Sequence, residues 1–136
     1  MKYTRNWFIV LGLWYVFNAV LTWPSVFGPT LPKMYPGVAL YEAEPVFRLL
    51  TEAWVIVGIQ LAAIGLVALW GARDPMKYIA IIPVTIVTEI VDGIWDIYSI
   101  MYSHEAMWMG VTTLVIHVII ILTGWVAWNK AHAGLR

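Results

Sequence analysis

Four long stretches of apolar residues, separated by short polar or proline-rich connections, dominate this chain of 136 residues. A helix needs roughly 20 residues to cross about 30 Å of hydrocarbon, and each stretch is close to that length. They cover residues 7–23, 45–70, 76–102 and 106–128. Pro24 ends the first stretch and Pro45 suits the first turn of the second. The pattern predicts an all-α fold, an integral membrane four-helix bundle in which residues 1–136 form a single transmembrane domain.

The composition supports a membrane location. Hydrophobic residues make up 62% of the chain and charged residues 12%, whereas soluble proteins carry about 25% charged residues. The net charge is zero, so no broad basic face attracts nucleic acid, and we predict no nucleic-acid partner. Cysteine is absent, which excludes disulfides and thiolate metal sites.

The basic residues divide unevenly between the two sides of an up-down-up-down arrangement. One side carries Lys2, Arg5, Arg73, Lys77, Lys130 and Arg136, and the other carries Lys33 and Arg48. The positive-inside rule therefore predicts a multi-pass protein with both termini in the cytoplasm. Residues 24–44 then form the outer loop, where four prolines make a helix improbable and suggest an extended cap over the bundle. A plain connector is the other interpretation of this loop.

The third apolar stretch contains a stripe of polar residues at spacings of four, three, four, three and four. The stripe consists of Thr85, Glu89, Asp92, Asp96, Ser99 and Ser103. These spacings place the side chains on one face of a helix. An ionisable group at the bilayer centre costs roughly 3 kcal/mol, so such groups face the bundle interior, a partner or a water-filled cavity. We therefore expect the stripe to face away from lipid.

The other helices offer polar and aromatic partners at matching depth, which predicts a binding pocket in the outer half of the bundle. Its predicted ligand-binding residues are Asn18, Arg48, Glu52, Trp54, Glu89, Asp92, Trp95, Asp96 and His117. Four carboxylates face one arginine and one histidine, and they cannot all be ionised side by side in a low dielectric. Either one or more carboxylates stay protonated, or a cation, metal or protonated ligand completes the site.

Structural interpretations of the same residues stay open. Arg48 and Glu52 fit an ion pair within one helix, Asp96 fits interfacial water, and His117 fits a hydrogen-bonded core histidine. Haem ligation by two histidines fails because only His117 lies within an apolar stretch. Asp92 and Asp96 offer oxygen ligands to a hard divalent cation, but no basic cluster accompanies them to hold a diphosphate. We predict neither a metal nor a cofactor.

Four segments of the chain resemble the BphX-like family of small four-span membrane proteins. These segments read LPKMYPG at 31–37, EPVF at 44–47, WGARDP at 70–75 and TEIVDGIWD at 88–96. The resemblance covers nearly the whole chain. It implies a location in the bacterial inner (plasma) membrane and contact with hydrophobic or aromatic molecules.

Three functional hypotheses follow. The first is a membrane bundle that binds a lipophilic small molecule with a cationic, aromatic or hydrogen-bonding group. The second is a cofactor-independent isomerase or cyclase, with Glu89 as the acid and Asp92, Glu52 or His117 as the base. The third is an accessory subunit or homo-oligomer, in which the acidic stripe meets a partner's basic residue in the bilayer.

Overall fold

A computed structural model describes residues 2–36 and 44–133 of the chain. All regular secondary structure in these ranges is helical. The helices are α1 (Lys2–Leu21), α2 (Pro24–Phe27), α3 (Leu31–Met34), α4 (Glu44–Gly71), α5 (Ile81–Tyr102) and α6 (Met107–Ala133). Residues 37–43 of the predicted outer loop, and Arg136 of the predicted basic side, lie outside the described residues.

Helices α1 and α4 form an antiparallel pair with very close backbones. A Cβ atom added to Gly65 would lie 2.7 Å from the carbonyl oxygen of Gly12. Toward the other end of the pair, a Cβ atom on Gly58 would lie 1.8 Å from the Thr22 hydroxyl. Small residues therefore permit this contact, as they do where helices pack in membranes.

Helices α5 and α6 form the second antiparallel pair. Ile100 packs against Gly110 at one end, and Ile86 packs against Gly124 toward the other. The two pairs join where α1 meets α6, since the Thr4 hydroxyl donates a hydrogen bond to the Ala127 carbonyl over 3.3 Å. The four long helices thus run up, down, up and down.

The apolar core lies at the end of the bundle where the chain begins. It is built around Phe8 and Leu11 of α1, which are buried with Ala68 of α4, Ile82 of α5 and Ala127 of α6. All four long helices meet at this end, so the rotation of each about its own axis is fixed there. That rotation decides which side chains of α5 face inward further along the bundle.

Helices α4 and α5 barely touch beyond the short turn that joins them. The predicted third helix begins late, at Ile81 and not at residue 76. The preceding residues form successive turns, and the Asp74 carboxylate accepts a hydrogen bond from the Lys77 amide over 3.2 Å. The longer turn lets α4 pack mainly on α1 and α5 mainly on α6.

The outer loop is helical over two single turns, so the expectation of extended chain was wrong for this part. Pro24 begins α2 and Pro32 is the second residue of α3. Proline is compatible with the first turn of a helix, where its missing amide hydrogen would have no partner.

Two of the helices, Glu44–Gly71 and Met107–Ala133, are long and apolar enough to cross a membrane. Helix α5 carries three carboxylates, and α1 carries the polar residues Arg5, Asn6 and Asn18. The outer faces of the long helices leave large apolar side chains exposed, including Val10, Leu49, Ile94 and Leu122.

Candidate functional site

The polar stripe of α5 faces the interior of the bundle. Thr85, Glu89, Asp96 and Ser99 are all buried, as their helical spacing predicts. Gly93 lies between the two carboxylates on the same face, and a Cβ atom there would be only 3.3 Å from Leu114 of α6. This glycine brings α6 close to the acidic part of α5.

A histidine of α6 joins two carboxylates of α5. His117 Nδ1 lies 2.6 Å from Glu89 Oε2, and His117 Nε2 lies 3.3 Å from Asp96 Oδ2. The other oxygen of Glu89 accepts a hydrogen bond from the Tyr15 hydroxyl of α1. We call Tyr15, Glu89, Asp96 and His117 the buried network, and it connects three of the four long helices.

The hydrogen bonds of the buried network depend on whether His117 is protonated. An imidazole donates hydrogen bonds from both nitrogens only when it is protonated. A carboxylate lies at each ring nitrogen of His117, so the protonated imidazole is the form that presents an N–H group to both. Asp96 Oδ2 is buried and has no aligned hydrogen-bond partner among the described residues, so its approach to His117 is electrostatic in character.

Asp92 lies on the edge of the stripe, one turn from each of the two buried carboxylates. It is half-buried and makes neither a hydrogen bond nor an ion pair to any described residue. Its carboxylate interacts electrostatically with His117, Glu89 and Asp96. Within the described ranges, no lysine or arginine lies at ion-pair distance from any of these carboxylates. Three carboxylates therefore share one imidazole.

The outer loop docks on the turn between α5 and α6. The Ala106 amide donates to the Met34 carbonyl over 2.7 Å, and the hydroxyls of Tyr35 and Ser99 lie 3.1 Å apart. Glu105 is buried beside them, and neither of its carboxylate oxygens has a hydrogen-bond partner among the described residues. Burial raises the pKa of the Glu105 carboxyl and also the pKa of the Tyr35 hydroxyl.

Several predicted site residues lie away from this network, so no single pocket unites all nine. Arg48 and Glu52 form an exposed ion pair of 2.8 Å one turn apart on α4, as the structural interpretation held. The amide of Asn18 donates to the Trp14 carbonyl of its own helix over 2.9 Å. These three polar side chains are therefore engaged within their own helices.

The two predicted aromatic walls also separate. Trp54 of α4 packs against Phe27 of the outer loop, with ring centroids 4.8 Å apart. Trp95 is exposed on α5 and stacks on Tyr98 at 5.4 Å. Among the described residues, neither ring has a ring contact or hydrogen bond with the buried network.

Sequence reasoning missed Tyr15 and Glu105. The spacing of Phe8, Leu11 and Tyr15 marks one face of α1, so the inward direction of Tyr15 was readable from the chain. Glu105 lies in the short turn after α5, where no periodicity indicates burial. Its burial results from the docking of the outer loop, which no sequence pattern indicates.

Two apolar grooves lie between helices, and neither is lined by the carboxylates. The α4–α5 groove has a volume of about 380 Å³ and is lined by Ala63, Ile64, Val67, Ala80, Ile81 and Val84. The α1–α6 groove has a volume of about 640 Å³ and is lined by Tyr3, Asn6, Trp7, Val10, Leu11, Trp14, Ile116, Ile119, Ile120 and Thr123. Within residues 2–36 and 44–133, no group of three or more histidine and carboxylate side chains could hold a metal ion.

These features define a class of small helical protein, one with acidic groups inside and apolar groups outside. The model of the BphX-like family matches residues 1–133, and the chain belongs to that family. An uncharacterized BphX-like protein from Burkholderia cepacia is 54% identical to this chain. The aligned region covers 100% of this chain and 99% of that relative's length. A second one, from Paraburkholderia xenovorans strain LB400, has the same identity and coverage. No solved structure gives a significant match.

Proposed function

We propose that this protein is a multi-pass inner-membrane protein that binds a lipophilic amine, or a similar lipophilic cation, between α4 and α5 beside Asp92. The four long helices, α1, α4, α5 and α6, are the proposed spans. The observation that carries the ligand proposal is the half-buried carboxylate of Asp92, which has no hydrogen-bond partner among the described residues and lies further along α5 than an apolar groove.

The distribution of polar and apolar groups supports the membrane part of this proposal. Val10 and Leu49 are 67% exposed, whereas Glu89 and Asp96 are only 2% and 7% exposed. A soluble protein has the opposite arrangement. In addition, the most apolar windows of α4 and α6 are only 17% and 11% buried, unlike the core helix of a soluble protein.

The positions of basic side chains support the orientation with both termini in the cytoplasm. Lys130 Nζ lies 4.5 Å from the ring centroid of Tyr3, so the start of α1 and the end of α6 share one side. Arg73 packs over the ring of Trp70 at the turn between α4 and α5 on that same side. Basic residues near the ends of spans favour the cytoplasmic side.

Helical geometry places Asp92 in line with the α4–α5 groove. Ile81, which lines the groove, and Asp92 are eleven residues apart, which is about three turns and the same face of α5. On α4, which runs antiparallel to α5, the same outward direction leads back along the chain. Gln60 lies one turn outward from Ile64 in that direction. A line drawn outward along the two helices from the groove therefore leads toward a carboxylate and an amide.

Charge balance explains why a cation fits this place. Three carboxylates share one imidazole, so even a protonated His117 leaves the acidic part of α5 without a full set of positive partners among the described residues. Asp92 has no hydrogen-bond partner among the described residues and is the most accessible of the three, so it is the carboxylate that a ligand can reach. An ammonium group would pair with the carboxylate, while its alkyl chain filled the groove of about 380 Å³.

The enzymatic alternative has less support. Both oxygens of Glu89 are already engaged by Tyr15 and His117, which leaves the proposed acid without a free oxygen for a substrate. Glu52, a proposed base, is exposed and paired with Arg48. We therefore place binding ahead of catalysis.

A specific observation favours the accessory-subunit role as a second candidate. Trp95, Tyr98 and Tyr102 form a continuous stack on the exposed face of α5, with ring centroids 5.4 and 5.1 Å apart. Such a surface suits lateral contact with another membrane helix. A complex isolated in mild detergent and lost on Trp95→Ala substitution would support this role.

Cysteine labelling tests the membrane part, because the chain contains no cysteine of its own. Ser25→Cys in α2 should react with an impermeant maleimide in intact spheroplasts, whereas Asn129→Cys in α6 should react only after permeabilisation. Equal reaction of both positions in intact spheroplasts would contradict the proposed topology. Recovery of the protein in the soluble fraction would contradict the membrane location itself.

Binding of radiolabelled dodecylamine to the purified protein in detergent tests the ligand part. Asp92→Asn should weaken this binding about tenfold, the loss expected for a charged hydrogen bond of about 1.5 kcal/mol. Glu52→Gln is the matched control and should bind like the wild type. Unchanged binding by Asp92→Asn, or equally strong competition by uncharged dodecanol, would contradict the proposal.

A further inference from the structure

The α1–α6 groove is separate from the proposed amine site. It is lined by α1 and α6 and shares no residue with the α4–α5 groove. Its walls are apolar along most of their length, with Val10 and Ile119 as examples. At its floor, Trp7 Nε1 donates a hydrogen bond to Thr123 Oγ1 over 3.1 Å. The polar groups of the floor are thus mutually satisfied, and an apolar chain could lie over them.

The length of the α1–α6 groove matches one leaflet of a bilayer. Its lining residues on α1 run from Tyr3 to Trp14, which are eleven residues apart and so about 16 Å. Half of a hydrocarbon core of about 30 Å is about 15 Å. Trp14 precedes Tyr15 of the buried network, so the groove ends at the depth where the carboxylates begin.

The two ends of the groove differ in charge. At the Tyr3 end, Lys130 Nζ lies 4.5 Å from the ring centroid of Tyr3, and the exposed side chain of Asn6 also lines the groove. At the other end, the lining residues Trp14 and Ile116 carry no charge. A molecule that fits both ends has an anionic group at one end and an apolar chain about one leaflet long.

We infer that the α1–α6 groove binds an anionic phospholipid of the leaflet nearest the chain termini. One acyl chain lies in the groove, and the phosphate group contacts Lys130 and Asn6. This inference depends on the proposed membrane location but not on amine binding, which is proposed for the α4–α5 groove and Asp92.

Native mass spectrometry of the detergent-solubilised protein tests the headgroup part, with added phosphatidylglycerol or phosphatidylcholine of the same acyl chains. The wild type should retain phosphatidylglycerol in preference, and Lys130→Gln should weaken its retention about fivefold. Lys77→Gln is the matched control, because Lys77 also lies over a tyrosine ring, that of Tyr78, at 5.8 Å. This control should retain the lipid like the wild type.

Val10→Trp tests the acyl-chain part, because the larger side chain fills the groove from an exposed position and leaves Lys130 in place. It should also lower phosphatidylglycerol retention, while thermal unfolding in detergent without lipid should match the wild type. If that unfolding differs, the smaller substitution Ile119→Phe on the opposite wall serves in its place. Excess inorganic phosphate should not displace the lipid, since the acyl chain supplies part of the affinity.

Three results would overturn the inference: equal retention of the two lipids, equal loss in Lys77→Gln and Lys130→Gln, or full retention in the groove-filling variant. Each of them leaves the dodecylamine result at Asp92 unaffected. Failure of the membrane location would appear first in the cysteine labelling and in fractionation, before any lipid is added. The two proposals can therefore fail separately.

Discussion

The hydrogen bond from Tyr15 to Glu89 gives the sharpest test of the buried network. Tyr15→Phe removes one hydroxyl and keeps the aromatic ring, which is buried in the core. One oxygen of Glu89 then loses its donor at a buried site. The substitution therefore reports on the hydrogen bond more than on packing.

The expected size of the effect follows from two ranges. Hydrogen bonds to charged groups contribute about 1.5–3 kcal/mol in proteins generally. Polar contacts between membrane helices average about 0.6 kcal/mol and reach about 1.7 kcal/mol. Because this bond is buried and its acceptor is a carboxylate, we expect Tyr15→Phe to lower the free energy of unfolding by about 1.5 kcal/mol.

Unfolding in mixed micelles with increasing dodecyl sulfate, followed by tryptophan fluorescence, measures this free energy. The cycle of Tyr15→Phe, Glu89→Gln and the double variant should give a coupling energy of about 1 kcal/mol. Tyr78→Phe is the control, since the Tyr78 hydroxyl accepts an exposed hydrogen bond from Trp70 over 3.0 Å. Loss of this exposed hydrogen bond should lower the free energy of unfolding by less than about 0.5 kcal/mol. Equal effects at Tyr15 and Tyr78, or no coupling in the cycle, would refute the role of the network in joining α1 to α5.

Two further predictions concern packing and pH. Gly65→Ala should destabilise the protein by about 2 kcal/mol in the same assay, because the new Cβ would lie 2.7 Å from the Gly12 backbone oxygen. Gly93→Ala should change stability by less than about 0.5 kcal/mol, because its Cβ would meet the flexible end of Leu114 at 3.3 Å and the His117 Cβ atom at an ordinary contact distance of 3.9 Å. The raised pKa of Glu105 means that the folded state holds this proton more tightly than the unfolded state. Stability should therefore fall as pH rises from 4.5 toward the raised pKa, by up to about 1.4 kcal/mol per pH unit. Glu105→Gln should remove this slope, and an unchanged slope in thermal unfolding would contradict the assignment.

Apolar stretches predicted where the long helices lie, but not which helices pack together. The stretches at 7–23, 45–70 and 106–128 each fall largely within α1, α4 or α6. The pairing of α4 with α1, and not with α5, depends on close glycine contacts such as Gly58 on Thr22. Glycine fits many positions in an apolar helix, so a single sequence does not indicate which neighbour it accommodates.

The candidate site was predictable along α5 and not across the bundle. Helical periodicity placed Glu89 and Asp96 on the inward face, because polar residues were few and regularly spaced there. Helix α4 is apolar on nearly all sides, so its pattern carries no signal for its rotation about the axis. Arg48 and Glu52 were consequently assigned to the interior, whereas both side chains are exposed.

The apolar surfaces of α4 and α6 also explain why a buried network is useful to this fold. In the proposed membrane location, apolar side chains gain little by facing another helix instead of lipid. Close packing and polar contacts must then fix how each helix is rotated. Tyr15, Glu89 and His117 fix α1, α5 and α6 relative to one another. Among the described residues, no bond of this network reaches α4, so close packing on α1 must fix the rotation of α4.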